Sequence, residues 1–423
     1  MTTIKKNIFS SLVGNLIYAF GQYLILILFI KFFTKAEVGE YLFALAFVTP
    51  INLGFDLQLR TLYVTESNKN IKFTDYYSFR LITNFLSVFI ALVAILIYNK
   101  DYLLIVFIVS LVKAIETHLE LIYGVYQSNF RLDIVAKSKV VRTVVSLIVV
   151  ALIVLITKNL LLALVSYLAV WILLLFLYEK RSVLKLAFLK PESFSFKINK
   201  ENLNYLLINS APLFFAILID KYYANYPRLA IEKHLGLSDL AIFGSLLYFK
   251  TLAGQIITAI GQSTAPNLSL YYKQRKTKLF YNLIWKLILA GFSVGILGVI
   301  ISYMFGEEIL ALVYSKDYSI YNNVLQLVLI GATVSFSYIF IGTALTCMRK
   351  QWVKLPISLI GFIILIIQFH FLNPNDLITV AKFLIFTESI ILILYFLVFW
   401  YFLKTDKMNE FKNIESILSE GNK

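Results

Sequence analysis

The sequence is poor in the residues on which soluble enzymes and metal-binding domains depend. It contains one cysteine, Cys347, so no disulfide can form within the chain. Its three histidines, His118, His234 and His370, are scattered and lack the spacing of a zinc site. Only 15% of the 423 residues are charged and 60% are hydrophobic, a balance that excludes a soluble globular domain of this size. We therefore expect an integral membrane protein without a bound metal.

Motifs for phosphate binding and covalent catalysis are also missing. The chain has no glycine-rich phosphate loop, no nucleophile elbow and no clustered pair of acidic metal ligands. A net charge of +15 is compatible with nucleic-acid binding, but the basic residues fall between apolar runs, as they do in the loops of membrane proteins. The sequence therefore indicates neither an enzyme nor a nucleic-acid-binding protein.

Long apolar runs dominate the chain, and twelve of them can cross a hydrocarbon core of about 30 Å. The first six are Ile8 to Phe33, Val38 to Leu59, Leu81 to Tyr98, Tyr102 to Tyr126, Val140 to Thr157 and Leu160 to Tyr178. The last six are Tyr205 to Ile231, Ser238 to Ala259, Phe280 to Tyr303, Tyr321 to Cys347, Trp352 to Phe371 and Leu377 to Phe402. We number them span 1 to span 12 and predict an all-α integral membrane protein.

The longest polar segment divides these spans six and six. It is basic and carries Pro191, which indicates a linker between two halves. We therefore predict a first six-helix bundle over residues 1–180, a basic cytoplasmic linker over 181–204, a second bundle over 205–403 and a cytoplasmic tail over 404–423. The loops on the opposite side are short, so no sizeable external domain is expected.

The distribution of basic residues predicts the orientation, because lysine and arginine concentrate in the cytoplasmic loops of membrane proteins. Most of the 39 lysines and arginines, among them Lys5, Lys6, Lys139, Arg142 and Lys423, fall at the termini or in loops on the same side. The loops of the other side hold Lys31, Lys35, Lys100, Lys158, Arg228, Lys233, Lys316 and Lys382. Both termini of this multi-pass protein of the cell membrane are therefore predicted to be cytoplasmic.

The two halves carry a weak internal repeat. Five residues at the turn from span 1 to span 2 match in character five residues at the turn from span 7 to span 8, at a constant offset. They are Thr34, Glu37, Gly39, Tyr41 and Phe47 in the first turn and Gly236, Asp239, Ala241, Phe243 and Phe249 in the second. Parallel six-helix repeats are a recurrent plan of transporters, with the substrate site between the halves.

The same two turns carry a family resemblance. The stretch TKAEVGEYLFALAFVTPI, Thr34 to Ile51, resembles the acidic-x-Gly-x-Tyr turn after the first helix of polysaccharide and oligosaccharide-lipid flippases. The stretch PRLAIEKHLGLSDLAIFGSLLYF, Pro227 to Phe249, is similar to their junction of spans 7 and 8. These flippases belong to the multidrug, oligosaccharidyl-lipid and polysaccharide exporter superfamily, and the likeness covers essentially the whole chain. The chain departs from the pattern at Phe33 and Thr34, where the first half more usually has a Leu-Gly pair.

The resemblance implies a V-shaped molecule, in which two six-helix halves surround a central cavity that opens alternately to the cytoplasm and to the exterior. It also implies a substrate, a polyprenyl-diphosphate-linked oligosaccharide that is turned from the inner to the outer leaflet. The expected partners are this lipid and the surrounding membrane lipid, and no cofactor is expected.

Four cations inside the predicted spans are candidates for binding the diphosphate. Lys113 lies in span 4, Lys221 and Arg228 lie in span 7, and Lys250 lies in span 8. An ion at the middle of a membrane helix costs about 2.5 to 3.5 kcal/mol, so these side chains are expected to line a hydrated cavity. For Arg228 an alternative stays open, because it lies near the end of its span and can reach the outer interface.

Four carboxylates are candidates for holding a coupling proton or sodium ion. They are Glu116 and Glu120 in span 4, Asp220 in span 7 and Glu388 in span 12. The alternative is internal pairing that only neutralises charge, of Lys113 with Glu116 and of Asp220 with Lys221. Because neighbouring residues on a helix do not face each other, the second of these pairs is the less expected.

Two other functions compete with the flippase. An ion-coupled multidrug exporter would need a cavity lined by aromatic and acidic side chains more than by basic ones, so the lysines inside the spans argue against it. A membrane polysaccharide polymerase would need a long external loop to hold the growing glycan and basic or histidine catalytic groups, which the short outer loops do not supply.

Overall fold

The computed structural model describes the backbone of residues 2–66, 68 and 70–420 and the side chains of residues 10, 12–66, 68 and 70–405. Within these residues the chain is helical and contains no β-strand. Lys5, Lys6 and Lys423, which contribute to the predicted orientation, lie outside the described side chains. The same holds for the side chains of residues 406–423 in the predicted tail.

Twelve helices of the described chain are long and apolar enough to cross a membrane, which confirms the predicted number. Spans 1 to 6 are Thr2–Phe32, Lys35–Asp56, Phe73–Tyr98, Leu103–Ser128, Leu132–Thr157 and Leu160–Leu174. Spans 7 to 12 are Lys200–Leu235, Leu237–Lys273, Thr277–Val313, Asn322–Cys347, Lys354–Phe371 and Leu377–Glu420. Shorter helical segments between or beside the spans are Leu59–Thr65, Lys100–Tyr102, Leu175–Lys180, Arg181–Lys185, Pro191–Phe194, Lys316–Tyr321 and Gln351–Val353.

The two matched turns separate their spans without a loop. Thr34 caps span 2 because its hydroxyl accepts a hydrogen bond from the Glu37 N–H at 3.3 Å, while the Glu37 carboxylate accepts one from the Thr34 N–H at 2.9 Å. Gly236, between spans 7 and 8, has a φ of 94°, which favours glycine. Both turns lie opposite the side of the membrane that carries Thr2 and Glu420. We term that side the terminal side and the opposite one the far side.

Span 5 extends further at its N-terminal end than its apolar run predicts. The run starts at Val140, but the helix begins at Leu132. Lys139 and Arg142 therefore lie inside the span, with 9% and 3% of their surface exposed, and their assignment to a cytoplasmic loop is wrong. Polar and aromatic partners from neighbouring spans compensate this burial, as described below.

The two halves pack their helices in the same way. In the first half, span 1 packs on span 5, span 2 on spans 3 and 4, span 4 on spans 3 and 6, and span 5 on span 6. Each of these pairs recurs in the second half between the spans whose numbers are higher by six. The weak sequence repeat thus corresponds to a structural repeat, and the predicted architecture of two six-helix halves is confirmed.

The halves meet mainly through spans 1 and 2 of the first and spans 7 and 8 of the second. On the far side, span 2 lies so close to the start of span 8 that a Cβ atom on Gly39 would stand 2.1 Å from the carbonyl oxygen of Leu237. One turn further along span 2, Leu42 lies against span 8, and a Cβ atom on Gly244 would stand 2.7 Å from its side chain. The glycine of the acidic-x-Gly-x-Tyr turn is therefore required for this approach.

A layer of tyrosines closes the interface on the terminal side of this glycine contact. Tyr23 of span 1 stacks on Tyr248 of span 8, with ring centroids 5.8 Å apart. The hydroxyl groups of Tyr23 and Tyr314 are 3.0 Å apart, and Tyr314 also donates to the carbonyl oxygen of Ser245 at 2.9 Å. Side chains from both halves thus form a continuous seal.

Beyond the seal, the two edges of the interface differ. Spans 2 and 7 stay in contact towards the terminal side, where the rings of Phe55 and Phe214 are 5.1 Å apart. Beyond span 2, Glu66 accepts a hydrogen bond from Tyr205 of span 7 at 3.4 Å. By the repeat, spans 1 and 8 form the matching edge. Their contact is less extensive and is centred on Tyr23.

Candidate functional site

Span 8 presents one continuous face to the first half. Gly244 and Tyr248, which contact Leu42 and Tyr23, lie on this face. Four exposed polar side chains follow on the same face, each three or four residues after the one before it. We term them the span 8 stripe: Thr251, Gln255, Thr258 and Gln262. In lipid, the two glutamine amides would lack hydrogen-bond partners, which is costly. The stripe therefore lines a hydrated cleft between the halves, open on the terminal side and closed at the tyrosine seal.

Span 7 carries charge on a partly exposed face. It packs on span 2 through Phe214 and on span 11 through Tyr226. Asp220 and Ala224 lie on a face of span 7 between these two contacts, and 51% of the Asp220 side chain is exposed. Lys221 donates to the Asp220 carboxylate at 2.9 Å. This neighbouring pair, the less expected one from the sequence, forms because the long lysine stem reaches back to the adjacent residue.

Arg228 has a neutral partner. Its guanidinium donates to the side-chain oxygen of Asn225 at 3.1 Å, and it forms no ion pair with the described residues. Its Nε is buried without a hydrogen-bond partner. Arg228 is therefore a cation whose hydrogen bonds are incomplete.

Lys113 is held within the first half. Its Nζ donates to the Glu116 carboxylate at 2.8 Å, and the Tyr18 hydroxyl donates to the same carboxylate at 2.7 Å. About a quarter of each side chain is exposed, 23% for Lys113 and 25% for Glu116. The pairing that the spacing within span 4 allows is thus present.

Lys250 is held in a matching cluster of the second half. Its Nζ donates to Glu388 of span 12 at 2.6 Å, and the Tyr338 hydroxyl donates to the same carboxylate at 2.6 Å. Only 7% of the Glu388 side chain is exposed, against 25% for Lys250. Each half therefore contains a lysine, a glutamate and a tyrosine in the same chemical arrangement, although the residues come from different spans.

Glu120, the remaining candidate carboxylate, belongs to a network that joins four elements of the first half. It lies 2.5 Å from the guanidinium of Arg60 and 3.3 Å from the Nζ of Lys139. Lys139 in turn donates to Asn15 of span 1 at 2.9 Å. Two cations share this carboxylate, so the network explains how Lys139 is accommodated inside span 5.

Arg142 is a buried cation that the sequence did not identify. Its guanidinium carbon stands 4.4 Å from the ring centre of Trp171, 5.4 Å from that of Tyr18 and 5.8 Å from that of Tyr123. Such aromatic faces stabilise a cation without a carboxylate. Its position within the apolar run that starts at Val140 was the available signal.

The span 8 stripe was also missed, although its signal is in the sequence. Thr251, Gln255, Thr258 and Gln262 recur at helical spacing within and just beyond a predicted span. The structure adds the direction of this face, since Tyr248 on the same face contacts the first half.

One relative in sequence covers nearly the whole chain. The capsular polysaccharide biosynthesis protein CapF of Staphylococcus aureus is 29% identical over 393 residues, which span 92% of this chain and 98% of that protein. No family model matches the chain.

Several solved structures share the fold. An inward-facing structure of a multidrug resistance MATE family transporter of the MOP superfamily superposes with a TM-score of 0.68 at 12% identity, over 94% of this chain and 96% of that one. An outward-facing structure with the same description gives a TM-score of 0.64 at 13% identity, over 96% of each chain. A MOP superfamily transporter from Pyrococcus furiosus, described as having a binding pocket of reverse polarity, gives 0.65 at 13% identity, over 96% of each chain. The chain therefore shares the fold of these MATE family and MOP superfamily transporters over nearly its whole length.

Proposed function

We propose that this chain is a flippase that moves a polyprenyl-diphosphate-linked oligosaccharide from the inner to the outer leaflet of the cell membrane for surface polysaccharide assembly. The observation that carries the proposal is the exposed, polar span 8 stripe, which continues the face that contacts the first half. In the proposal, Lys221 and Arg228 of span 7 line the same cleft. The relative named for capsular polysaccharide biosynthesis supports this pathway. In the proposal the terminal side is cytoplasmic and the far side is external.

The cleft offers each part of such a lipid a suitable environment. The amides and hydroxyls of the span 8 stripe can donate to and accept from sugar hydroxyls. Arg228, whose Nε lacks a partner, can complete its hydrogen bonds on a phosphate, which matches the guanidinium fork. Lys113, from the other half, would neutralise a second phosphate charge. The apolar tail stays in lipid, at the edge where spans 1 and 8 separate.

In this proposal the carboxylates couple transport to a proton or sodium ion. Glu116 and Glu388 each hold a lysine by an ion pair, so a cation bound to either carboxylate would release Lys113 or Lys250 for the diphosphate. Glu120 and Asp220 offer two further sites of the same kind, since each already balances a cationic side chain.

The test of the function is a deletion strain that carries a complementing copy. Without the protein, lipid-linked oligosaccharide is expected to accumulate at the cytoplasmic face and surface polymer to be lost. The Lys221→Ala copy should insert normally and fail to restore the polymer, because the cleft loses a cation. Lys185→Ala, at an exposed lysine beyond span 6, is the control that should restore it.

Two results would contradict this assignment. Full activity of Lys221→Ala would remove that residue from the site. A deletion strain that keeps its surface polymer and becomes sensitive to toxic organic cations would instead support the multidrug exporter.

Removing the polar character of the span 8 stripe should slow transport without affecting insertion. The double variant Gln255→Leu, Gln262→Leu loses two amides, each worth about 1 kcal/mol as a hydrogen-bonding group, so transport should fall about tenfold or more. The measurement is the amount of lipid-linked oligosaccharide that a glycosidase can reach on the outer face of cells. Gln351→Leu, an exposed glutamine outside the cleft, is the matched control. Equal rates for both variants would show that the stripe does not contact the glycan.

A further inference from the structure

A second cavity lies away from the cleft, on the lipid-facing surface of the first half. It is a groove of about 270 Å³ between spans 3, 4 and 6. Its walls are mostly apolar, with Leu81, Ile115 and Ile172 among the lining residues. Lys180 lines the groove as well, at the end of the π-helical segment Leu175–Lys180, a kind of segment that is frequent at functional sites.

Lys180 lies at the depth of the lipid headgroups. It follows the start of span 6, at Leu160, by about 30 Å of helix, which equals the thickness of the hydrocarbon core. Its Nζ stands 5.1 Å from the ring centre of Phe194 in the linker, and it forms no ion pair with the described residues. Arg181 and Lys185, both exposed, add positive charge next to it.

The internal repeat supplies a comparison within the same molecule. Spans 9, 10 and 12, which correspond to spans 3, 4 and 6, enclose a groove of about 480 Å³ on the surface of the second half. Apolar residues such as Trp285, Phe292 and Phe396 line it together with Ser337, and no charged residue is among its lining. The two grooves share their position and their apolar walls, but only the first is lined by a lysine, and Asn84 and His118 line it as well.

We propose that the groove between spans 3, 4 and 6 binds an anionic phospholipid, with an acyl chain along its apolar wall and the phosphate on Lys180. A lipid is the occupant because the groove opens to the bilayer and joins an apolar wall to a cation at headgroup depth. An anionic lipid is favoured over a zwitterionic one because Lys180, Arg181 and Lys185 have no carboxylate partner among the described residues. This site is separate from the cleft and does not depend on the transported substrate.

The charge is tested with the full-length protein purified in detergent and titrated with phosphatidylglycerol or phosphatidylcholine. Phosphatidylglycerol should raise the Tm of the unmodified protein more than phosphatidylcholine does, because a ligand that binds the folded state stabilises it. Lys180→Gln should lower the apparent affinity for phosphatidylglycerol about fivefold, whereas Lys185→Gln should lower it less. Equal responses of Lys180→Gln and the unmodified protein would overturn the proposal.

The apolar wall is tested with matched tryptophan substitutions. Ile172→Trp fills the groove of the first half, and Ile393→Trp fills the uncharged groove of the second. Native mass spectrometry should show one retained phosphatidylglycerol fewer with Ile172→Trp and no loss with Ile393→Trp. The same loss in both variants would overturn the assignment to this groove. A Tm shift with inorganic phosphate alone that Lys180→Gln abolishes would show a free-phosphate site instead of a lipid site.

Discussion

Gly39→Leu is expected to abolish transport by holding the far side of the molecule open. A Cβ atom at this position would stand 2.1 Å from the backbone carbonyl oxygen of Leu237, which cannot move aside as a flexible side chain can. Overpacking of this kind costs about 1 to 3 kcal/mol, comparable to the few kcal/mol that separate the states of a two-state transporter. The closed state seen here would therefore lose most of its population.

This opening can be measured with a cysteine probe. In a Cys347→Ser background, Ala241→Cys places a thiol at a fully buried position of the closed far-side contact. A membrane-impermeant maleimide should label it only after Gly39→Leu is added. Labelling of intact cells would at the same time test whether the far side is external.

The control is a leucine at a glycine with free space around it. A Cβ atom on Gly298 of span 9 would have only Leu329 nearby, at 3.8 Å, so Gly298→Leu should leave transport and labelling unchanged. If Gly39→Leu transports normally and its probe stays unlabelled, the close contact of spans 2 and 8 is not required.

Glu388→Ala is expected to destabilise the protein by about 3 kcal/mol. The substitution leaves Lys250 without its counter-charge inside the second half and takes the acceptor from Tyr338. An uncompensated ion of this kind costs more than the pair itself contributes. The free energy of unfolding in detergent micelles is the quantity to measure.

Two comparisons separate the charge from the packing. The double variant Lys250→Met, Glu388→Leu removes both charges and should recover much of the lost stability. Asp133→Ala breaks the pair with Arg131, whose side chain is 44% exposed, and should change the free energy of unfolding by less than about 1 kcal/mol. A loss for Glu388→Ala as small as that for Asp133→Ala would mean that water already screens the pair.

Much of this fold can be predicted from the sequence because a membrane sets local rules. A helix that crosses about 30 Å of hydrocarbon must be apolar along its own length, so composition alone locates the spans. The pairing of Lys113 with Glu116 is local as well, since residues three apart share a helix face. The turn around Gly39 was recognisable by its pattern, although the close contact that requires the glycine involves Leu237 of the other half.

The rest depends on which helices become neighbours. Lys250 of span 8 pairs with Glu388 of span 12, and nothing in either local sequence indicates the partner. The burial of Arg142 could not be foreseen for the same reason, because Trp171 and Tyr18 come from two other spans. The direction of the span 8 stripe becomes clear only once Tyr248 is seen against Tyr23.

The unequal edges of the interface have a consequence for where a substrate can enter and leave the cleft. The halves stay joined along one edge, from the seal through Phe55 and Phe214 to the hydrogen bond between Tyr205 and Glu66. In the proposed flippase, the hydrocarbon chain of the substrate can then leave the cleft only at the other edge, between spans 1 and 8. The proposed substrate would therefore enter and leave the protein at the same edge.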